Sequence, residues 1–483
     1  MTMIIEVALV QDMIADERPN ILFAIADDWG WPHASAYGDP VVKTPTFDSV
    51  AKQGILFEHA FVSSPSCTPS RNAILTGQYH WRLGWGANLW SQLDTKHLTY
   101  PNLLEDAGYF VGHYRKSWGP GNLKNWKDYK HAHPAGLRFK SPSEFFKKWD
   151  RAQPFCFWFG ASDPHRGYKK NSGEQSGMDL SKIKLFGHFP DHNIVRGDVA
   201  DYYFEVQRFD RQLGEVLELL EEMHELENTI VVVTGDHGMP FPRCKSNVYD
   251  SGVRVPMAVM WREKIKAGRN VTDFVSTTDL APTFLEAAGV RIPDAMTGAT
   301  LVPILKSAKS GRIESHRSQV FFGKERHVLC QESPDTGGTP MRAIRTDDFL
   351  LIHNLRPDRW PAGTPHFKNA TIPGVWLGDC DNGPTKTYMV ENKDLDDEHR
   401  SRYELAFGKR PEFELYDLKK DPDQLTNVVG YAKHNDLLTK LKKQLSIELE
   451  RTGDPRIVGG AEEKFENPPY LGRGPRHPST TKK

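Results

Sequence analysis

Asn20-Ile21-Leu22-Phe23-Ala24-Ile25-Ala26-Asp27-Asp28-Trp29-Gly30 sets the fold class of this 483-residue chain. A short apolar run rich in strand formers stops abruptly at two acids and a glycine, the pattern of a central strand buried on both faces. Similar runs recur at Tyr109–His113, Phe155–Ala161, Ile230–Thr234 and Met257–Trp261. Between them lie helical patterns, among them Thr44–Lys52, with Thr44 as N-cap and Pro45 in the first turn, and a longer one over Val199–Met223. Buried strands alternating with helices predict an α/β sandwich. In such sheets ligands collect at the carboxyl ends of the strands. Three runs are followed there by acids and histidines: Asp27 and Asp28, Asp163 and His165, Asp236 and His237.

The length exceeds what one compact core sustains, so two domains are expected. Residues 1–18 read as an N-terminal extension, 19–340 as the larger α/β domain, and 341–483 as a smaller α+β domain. The smaller domain has short strand-like pieces at Phe349–His353 and Phe413–Tyr416. It also has an amphipathic helix carrying Leu437, Leu438, Leu441, Leu445 and Leu449. The tail after Asn467 is expected to start as an ordered strap and then lose order.

Lys and Arg total 62 against 63 Asp and Glu, so no global field exists to hold nucleic acid or an anionic membrane. An anionic substrate must be met by a local cluster. Cys67, Cys156, Cys244, Cys330 and Cys380 show neither a zinc knuckle nor a CxxC pair, and their odd number leaves at least one thiol outside any intramolecular disulfide. The apolar run Ile4–Val10 is interrupted by Glu6 and makes a poor signal peptide. No stretch reaches the roughly 20 apolar residues of a membrane span.

The sharpest signal is Cys67-Thr68-Pro69-Ser70-Arg71, followed by Asn72-Ala73-Ile74-Leu75-Thr76-Gly77. This run resembles the signature of the type I sulfatases, in which the cysteine is oxidised to formylglycine before folding. The resemblance implies an alkaline-phosphatase-like sulfatase fold, a large mixed sheet flanked by helices. The chemistry agrees with it. An aldehyde hydrate at residue 67 has two geminal hydroxyls, one to attack sulfur and one to expel sulfate by C–O cleavage, which neither Ser nor Cys provides. Pro69 and Ser70 start a helix, which places residue 67 by an N-terminus that favours anions, and Arg71 is placed to stabilise the hydroxyls.

The resemblance also implies a metal pocket of Asp27, Asp28, Asp236, His237 and the residue 67 oxygen. Oxygen-rich ligation favours Ca²⁺, with Mg²⁺ second, although His237 stands where many sulfatases have Asn. Lys116 and Lys245 match the family's sulfate-binding lysines. His165, within Ser162-Asp163-Pro164-His165-Arg166, matches the histidine that serves the leaving-group oxygen. One position departs: Lys116-Ser117-Trp118 has Trp where the family has His, leaving His113 and His80 as candidates for the missing role.

The resemblance runs from Pro19 to about Ile457 and is closest to the N-sulfoglucosamine sulfohydrolase branch, carried by DPHR, GDHGMPFPRCKSNVY, MRAIRTDDFLLIHNL and FELYDLKKDPDQLTN. That branch includes bacterial sulfatases of algal glycans. The expected activity is hydrolysis of sulfate esters on a sulfated polysaccharide or oligosaccharide, such as carrageenan or ulvan. The alternatives are an N-sulfoglucosamine sulfohydrolase, a non-catalytic sulfated-glycan binding protein, and a phosphate-ester hydrolase, which Cys67 disfavours. Charge forks beside an aromatic suggest Glu325, Arg326, His327 and Arg359 as substrate contacts, with salt-bridged loops as the competing reading. A formylglycine-generating or anaerobic maturase is the implied partner. A periplasmic or secreted location is expected from the family.

Overall fold

The computed structural model describes residues 18–262, 264–460, 462–467 and 472–480. The apolar run Ile4–Val10 and nearly all of the expected extension lie outside them.

The main sheet has eight strands: β1 (Asn20–Ala26), β2 (Ile55–Phe57), β3 (Phe110–Arg115), β4 (Leu137–Phe139), β5 (Phe155–Gly160), β6 (Thr229–Gly235), β7 (Met257–Met260) and β8 (Arg269–Val271). Their spatial order is β4-β3-β5-β1-β6-β7-β2-β8. All neighbours run parallel except β7, which opposes both β6 and β2. The sheet is therefore mixed, as expected.

Period-two alternation explains why the central strands read as continuous apolar runs. On β1, Leu22, Ala24 and Ala26 face one core layer, under Val199, Tyr202, Val206 and Phe209 of the Asn193–Glu222 helix. Ile21, Phe23 and Ile25 face the other, with Ile74 and Leu75 of the Cys67–Thr76 helix and Phe284 of the Leu280–Ala287 helix. The long helix begins six residues before the sequence reading, because His192 caps it by accepting from the Ile194 N–H. Thr44 occupies the N-cap position of the Pro45–Gln53 helix without making a side-chain cap bond.

A second sheet runs β9 (Gln319–Lys324), β10 (Met341–Thr346), β11 (Phe349–Asn354) and β12 (Phe413–Asp417), antiparallel throughout. Strand β9 precedes residue 341, so the smaller sheet starts before the boundary read from sequence. One face of this sheet (Ala343, Leu350, Ile352, Tyr416) continues the core of the main sheet. The other (Ile344, Leu351, Leu415) is covered by Leu441, Leu445 and Leu449 of the Asn435–Arg451 helix. Burial of each of these leucines contributes about 1.5–3 kcal/mol, and an acidic residue at Leu445 would lose that contribution and bury a charge inside this apolar cluster. The chain after residue 471 lies along Val375 and Trp376, and residues 468–471 and 481–483 fall outside the described part.

Candidate active site

The carboxyl ends of four parallel strands converge. Asp27 and Asp28 follow β1, Lys116 follows β3, Asp163 and His165 follow β5, and Asp236 and His237 follow β6. Backbone bonds tie these ends together, Asp27 N–H to the Asp163 carbonyl at 2.9 Å and Asp236 N–H to the Ala26 carbonyl at 3.1 Å. Gly160 allows the crossing of Lys116, since a Cβ there would collide with the Lys116 carbonyl. Asp28 has φ 73°, a left-handed conformation uncommon outside Gly, Asn and Asp. Its N–H donates to Asp236 Oδ1 at 2.8 Å.

Cys67 is the first residue of the Cys67–Thr76 helix, every residue of which is buried. The helix is fixed by side-chain bonds: Thr68 Oγ1 to the Pro120 carbonyl, Ser70 Oγ to the Asp236 carbonyl, and Asn72 Nδ2 to the Gly86 carbonyl. Ser66, at the N-cap, contacts His327 Nδ1 at 2.8 Å and does not cap the helix. The Cys67 Sγ lies 3.8 Å from Asp27 Oδ1, 4.0 Å from Asp28 Oδ1 and 3.3 Å from His237 Nε2. Burial pushes the Cys67 thiol up to about 11, Lys116 and Lys245 notwithstanding. It stays a neutral thiol near pH 7, a poor thiolate nucleophile.

The cations are spaced around the acids. Arg71, fully buried, donates from Nε to Asp236 Oδ2 at 2.8 Å and from a terminal nitrogen to Asp27 Oδ1 at 3.5 Å. Lys116 Nζ bonds Asp27 Oδ1. Lys245 Nζ sits 2.9 Å from Asp28 Oδ2 and 3.0 Å from Asp381 Oδ2. Burial alone would lower the Lys245 pKa, but the two carboxylates hold it well above the usual lysine range. His165 Nδ1 meets the Arg166 carbonyl at 2.6 Å, and Nε2 stands 4.0 Å from Asp28 Oδ2. Burial would also lower the His165 pKa, yet Asp28 and Asp27 leave it raised.

The donor set fits a divalent cation. His237 Nδ1 lies 3.0 Å from the Gly238 carbonyl, which directs Nε2 into the pocket, 3.2 Å from Asp28 Oδ1. Asp28, Cys67 and His237, and Asp27, Cys67 and Asp236, each bring three possible ligand atoms within reach of one ion. Asp27, Asp28, Asp236 and Asp381 face Arg71, Lys116 and Lys245, a balance of one negative charge. A divalent cation reverses it to one positive charge, which a sulfate monoester cancels.

Asp27, Cys67, Lys116, His165, Lys245 and Asp381 line a cleft of about 730 Å³, whose walls include Leu89, Trp90, Trp118, Arg208, His327 and Arg473. Of the substrate contacts read from sequence, His327 reaches the cleft; Glu325, Arg326 and Arg359 are not on its walls. Glu325 lies 2.6 Å from both Arg342 and Arg456. Arg359 pairs with Asp335 at 2.7 Å and Glu466 at 2.8 Å. Arg326 is buried, its backbone bonded to Asn88 and Leu89. The Glu325 and Arg359 pairs tie the smaller sheet and the loop that follows it to Arg456 and Glu466. His80 is buried against Ser63, and His113 bonds the Gly136 carbonyl and stacks on His133, so neither contacts residue 67. Trp118 turns the position of the missing histidine into cleft wall.

Asp381, Trp90, Arg208 and Arg473 were not singled out by the sequence. Asp381 is presented by a loop wound around Lys386, whose Nζ donates to the carbonyls of Trp376, Leu377 and Cys380 and to Asn382 Oδ1. Its one sequence signal is the acid-rich stretch Gly378-Asp379-Cys380-Asp381-Asn382-Gly383.

The sulfatase family model matches residues 19–290, more than half of the chain. The chain belongs to the sulfatase family. A second family model, the C-terminal part of N-sulphoglucosamine sulphohydrolase, matches residues 235–361 of this sulfatase. An ulvan-active sulfatase of Formosa agariphila is 27% identical over 91% of this chain and 76% of its own length. Human N-sulphoglucosamine sulphohydrolase is 28% identical over 93% of this chain and 94% of its own. The structure of BT4656 in complex with its substrate D-glucosamine-2-N,6-O-disulfate shares the fold, with a TM-score of 0.61 and 20% identity over 90% of this sulfatase and 98% of that chain.

Proposed function

We propose that this sulfatase hydrolyses sulfate esters of a sulfated polysaccharide or oligosaccharide, with residue 67 converted to formylglycine and Ca²⁺ held by Asp27, Asp28, Asp236 and His237. The observation that carries this reading is the Cys67 side chain lying within 4.0 Å of Asp27, Asp28 and His237 on the floor of a cleft that also exposes Lys116, His165 and Lys245. The Cys67 Sγ stands in for the oxygens of the formylglycine hydrate. The ulvan-active relative and the disulfated-sugar complex support a glycan substrate.

Ca²⁺, preferred over Mg²⁺ for a crowded carboxylate set, supplies when bound the positive charge that favours an ionised oxygen at residue 67. The remaining work falls to the chain's own side chains. Lys116 and Lys245 grip the sulfate oxygens through charge-assisted bonds that tighten as negative charge builds. Arg71 fixes the orientation of Asp236 and Asp27 from beneath. The Nδ1–H bond of His165 to the Arg166 carbonyl orients the ring so that Nε2 faces the cleft, where it holds a proton for the leaving-group oxygen. Trp90 and Trp118 add aromatic surface to the cleft wall, which suits a sugar.

The C-terminal family match favours a second reading, cleavage of an N-linked sulfate on glucosamine by the same residues. A formylglycine-generating or anaerobic maturase would supply the modification. Action outside the cytoplasm, in a periplasm or medium, fits a polymeric sulfated substrate.

The test is mass spectrometry of the residue 67 peptide after co-expression with a maturase, followed by sulfate release from O-sulfated and N-sulfated sugars. A loss of about 18 Da marks CH₂SH becoming CHO, and sulfate release then separates the two readings by substrate. Unmodified Cys67 beside an active maturase, or binding without sulfate release, would move the protein to a non-catalytic glycan-binding role.

A further inference from the structure

Residues 472–480 form a strap along one wall of the cleft. Trp376 N–H donates to the Pro475 carbonyl at 3.0 Å, Asn382 Nδ2 to the Arg476 carbonyl at 2.9 Å, and His477 N–H to the Gly374 carbonyl at 2.8 Å. The His477 ring stacks on Phe367 with centroids 3.9 Å apart. Gly472 lies so close to the Trp90 indole that a Cβ would fall 2.6 Å from the ring. The strap is thus tied at several points to the loop that presents Asp381. Between the Trp90 contact and the Pro475 anchor, Arg473 is exposed and lines the cleft.

The other cations of that wall are already paired. Lys116 bonds Asp27, Lys245 bonds Asp28 and Asp381, Arg166 makes a two-pronged bond to Asp198, and Arg208 another to Asp163. Among the described residues, Arg473 is the cleft cation with no carboxylate partner. A divalent cation drawing on Asp27 and Asp28 would release Lys116 and Lys245 toward the scissile sulfate, which leaves Arg473 for a different anion. A guanidinium fork matches the planar oxygens of a carboxylate and the oxygen pair of a sulfate, and Trp90 lines the same cleft, where an aromatic suits a pyranose ring.

We propose that Arg473, held on the strap beside Trp90, is a specificity residue that binds a second anionic group, a carboxylate or a further sulfate, on the sugar bearing the scissile sulfate or on its neighbour. This rests on the sulfatase reading and narrows its substrate to a glycan carrying more than one negative charge.

Calorimetric titration of the full-length Cys67→Ala protein in Ca²⁺ buffer tests it without turnover. The probes are N-acetylglucosamine 6-sulfate, glucosamine 2-N,6-O-disulfate, and a monosulfated disaccharide with a uronate carboxylate. In this background Arg473→Gln should weaken one or both two-anion probes about tenfold, leave the one-anion probe within about twofold, and be partly rescued by Arg473→Lys. The probe affected identifies the second anion as sulfate or carboxylate. Equal weakening of all three probes, no weakening of either two-anion probe, or no binding of them overturns the proposal. Failure of sulfate release by the formylglycine-bearing protein would instead overturn the sulfatase reading, and the binding comparison registers that case separately.

Discussion

Lys245 and Asp381 form an ion pair of 3.0 Å that joins the loop after β6 to a loop of the smaller domain. Lys245 is 3% exposed along its side chain, so the ammonium is largely desolvated and depends on its two carboxylates. If Asp28 turns toward a cation, Asp381 is the anchor that remains. Asp381→Asn is expected to lower kcat/KM for sulfate release about 10- to 100-fold. The loss should fall more on kcat than on KM, because a mobile ammonium follows the developing charge poorly. Asp381→Glu should recover part of it. Equal kcat in wild type and Asp381→Asn would remove Asp381 from the positioning of Lys245.

Asp28 combines a left-handed backbone, φ 73°, with contacts to His237 and Lys245. Asn tolerates that backbone, so Asp28→Asn removes a charge from the cation pocket with little strain. Ca²⁺ at about 100 times its Kd should stabilise the wild-type protein by about 2.7 kcal/mol in denaturant titrations. The same Ca²⁺ concentration should leave Asp28→Asn unchanged, and EDTA should bring wild type down to its apo stability. Stabilisation of both proteins alike would place the cation elsewhere.

Much of the site could be read from sequence because its signals are local. Asp27-Asp28 and Asp236-His237 each close an unbroken apolar run, and Cys67 to Gly77 form one helix and its C-cap. Direction and partnership were less legible. Met257–Met260 reads like the parallel strands although it runs against them, since burial on both faces gives the same composition either way. Strand β9 resembles another catalytic-domain strand, and only its pairing with Met341–Thr346 assigns it to the second sheet. Glu325 and Arg359 looked like ligand forks because an exposed fork and one buried against an acid from a distant segment have the same local sequence. Asp381 and Arg473 lie on irregular loops without period or motif, so only the tertiary fold brings them to the cleft.

Glu325, Arg342, Arg456 and Asp454 make a network in which Arg342 is fully buried between Glu325 at 2.6 Å and Asp454 at 2.6 Å. Removing one charge leaves its partners desolvated and uncompensated. Glu325→Ala should therefore cost about 3–5 kcal/mol in unfolding free energy. As Glu325 does not line the cleft, the fraction that remains folded should keep its KM for the sulfated substrate. A variant as stable as wild type with a raised KM would return Glu325 to substrate binding.

His113 and His133 stack with ring centroids 4.3 Å apart, away from the cation pocket. Burial is the main cause that lowers both, His113 to about 4 and His133 to about 3. His33 is likewise lowered to about 4, chiefly by burial and against the pull of Asp39. Each is neutral when folded at pH 7, whereas an unfolded histidine takes up a proton near pH 6.5. A depressed folded pKa means the stabilisation is complete above the unfolded value and is lost as pH falls through the folded one. The window is therefore about pH 6.5 down to 4. Within it each such histidine should steepen the loss of stability by up to about 1.4 kcal/mol per pH unit. Urea unfolding between pH 7.5 and 4.5 checks this: stability should be flat above pH 7 and fall steeply below 6. His113→Gln, which retains a donor for the Gly136 carbonyl, should lessen the slope by about one proton. An unchanged slope would mean that His113 titrates alike in the folded and unfolded chain.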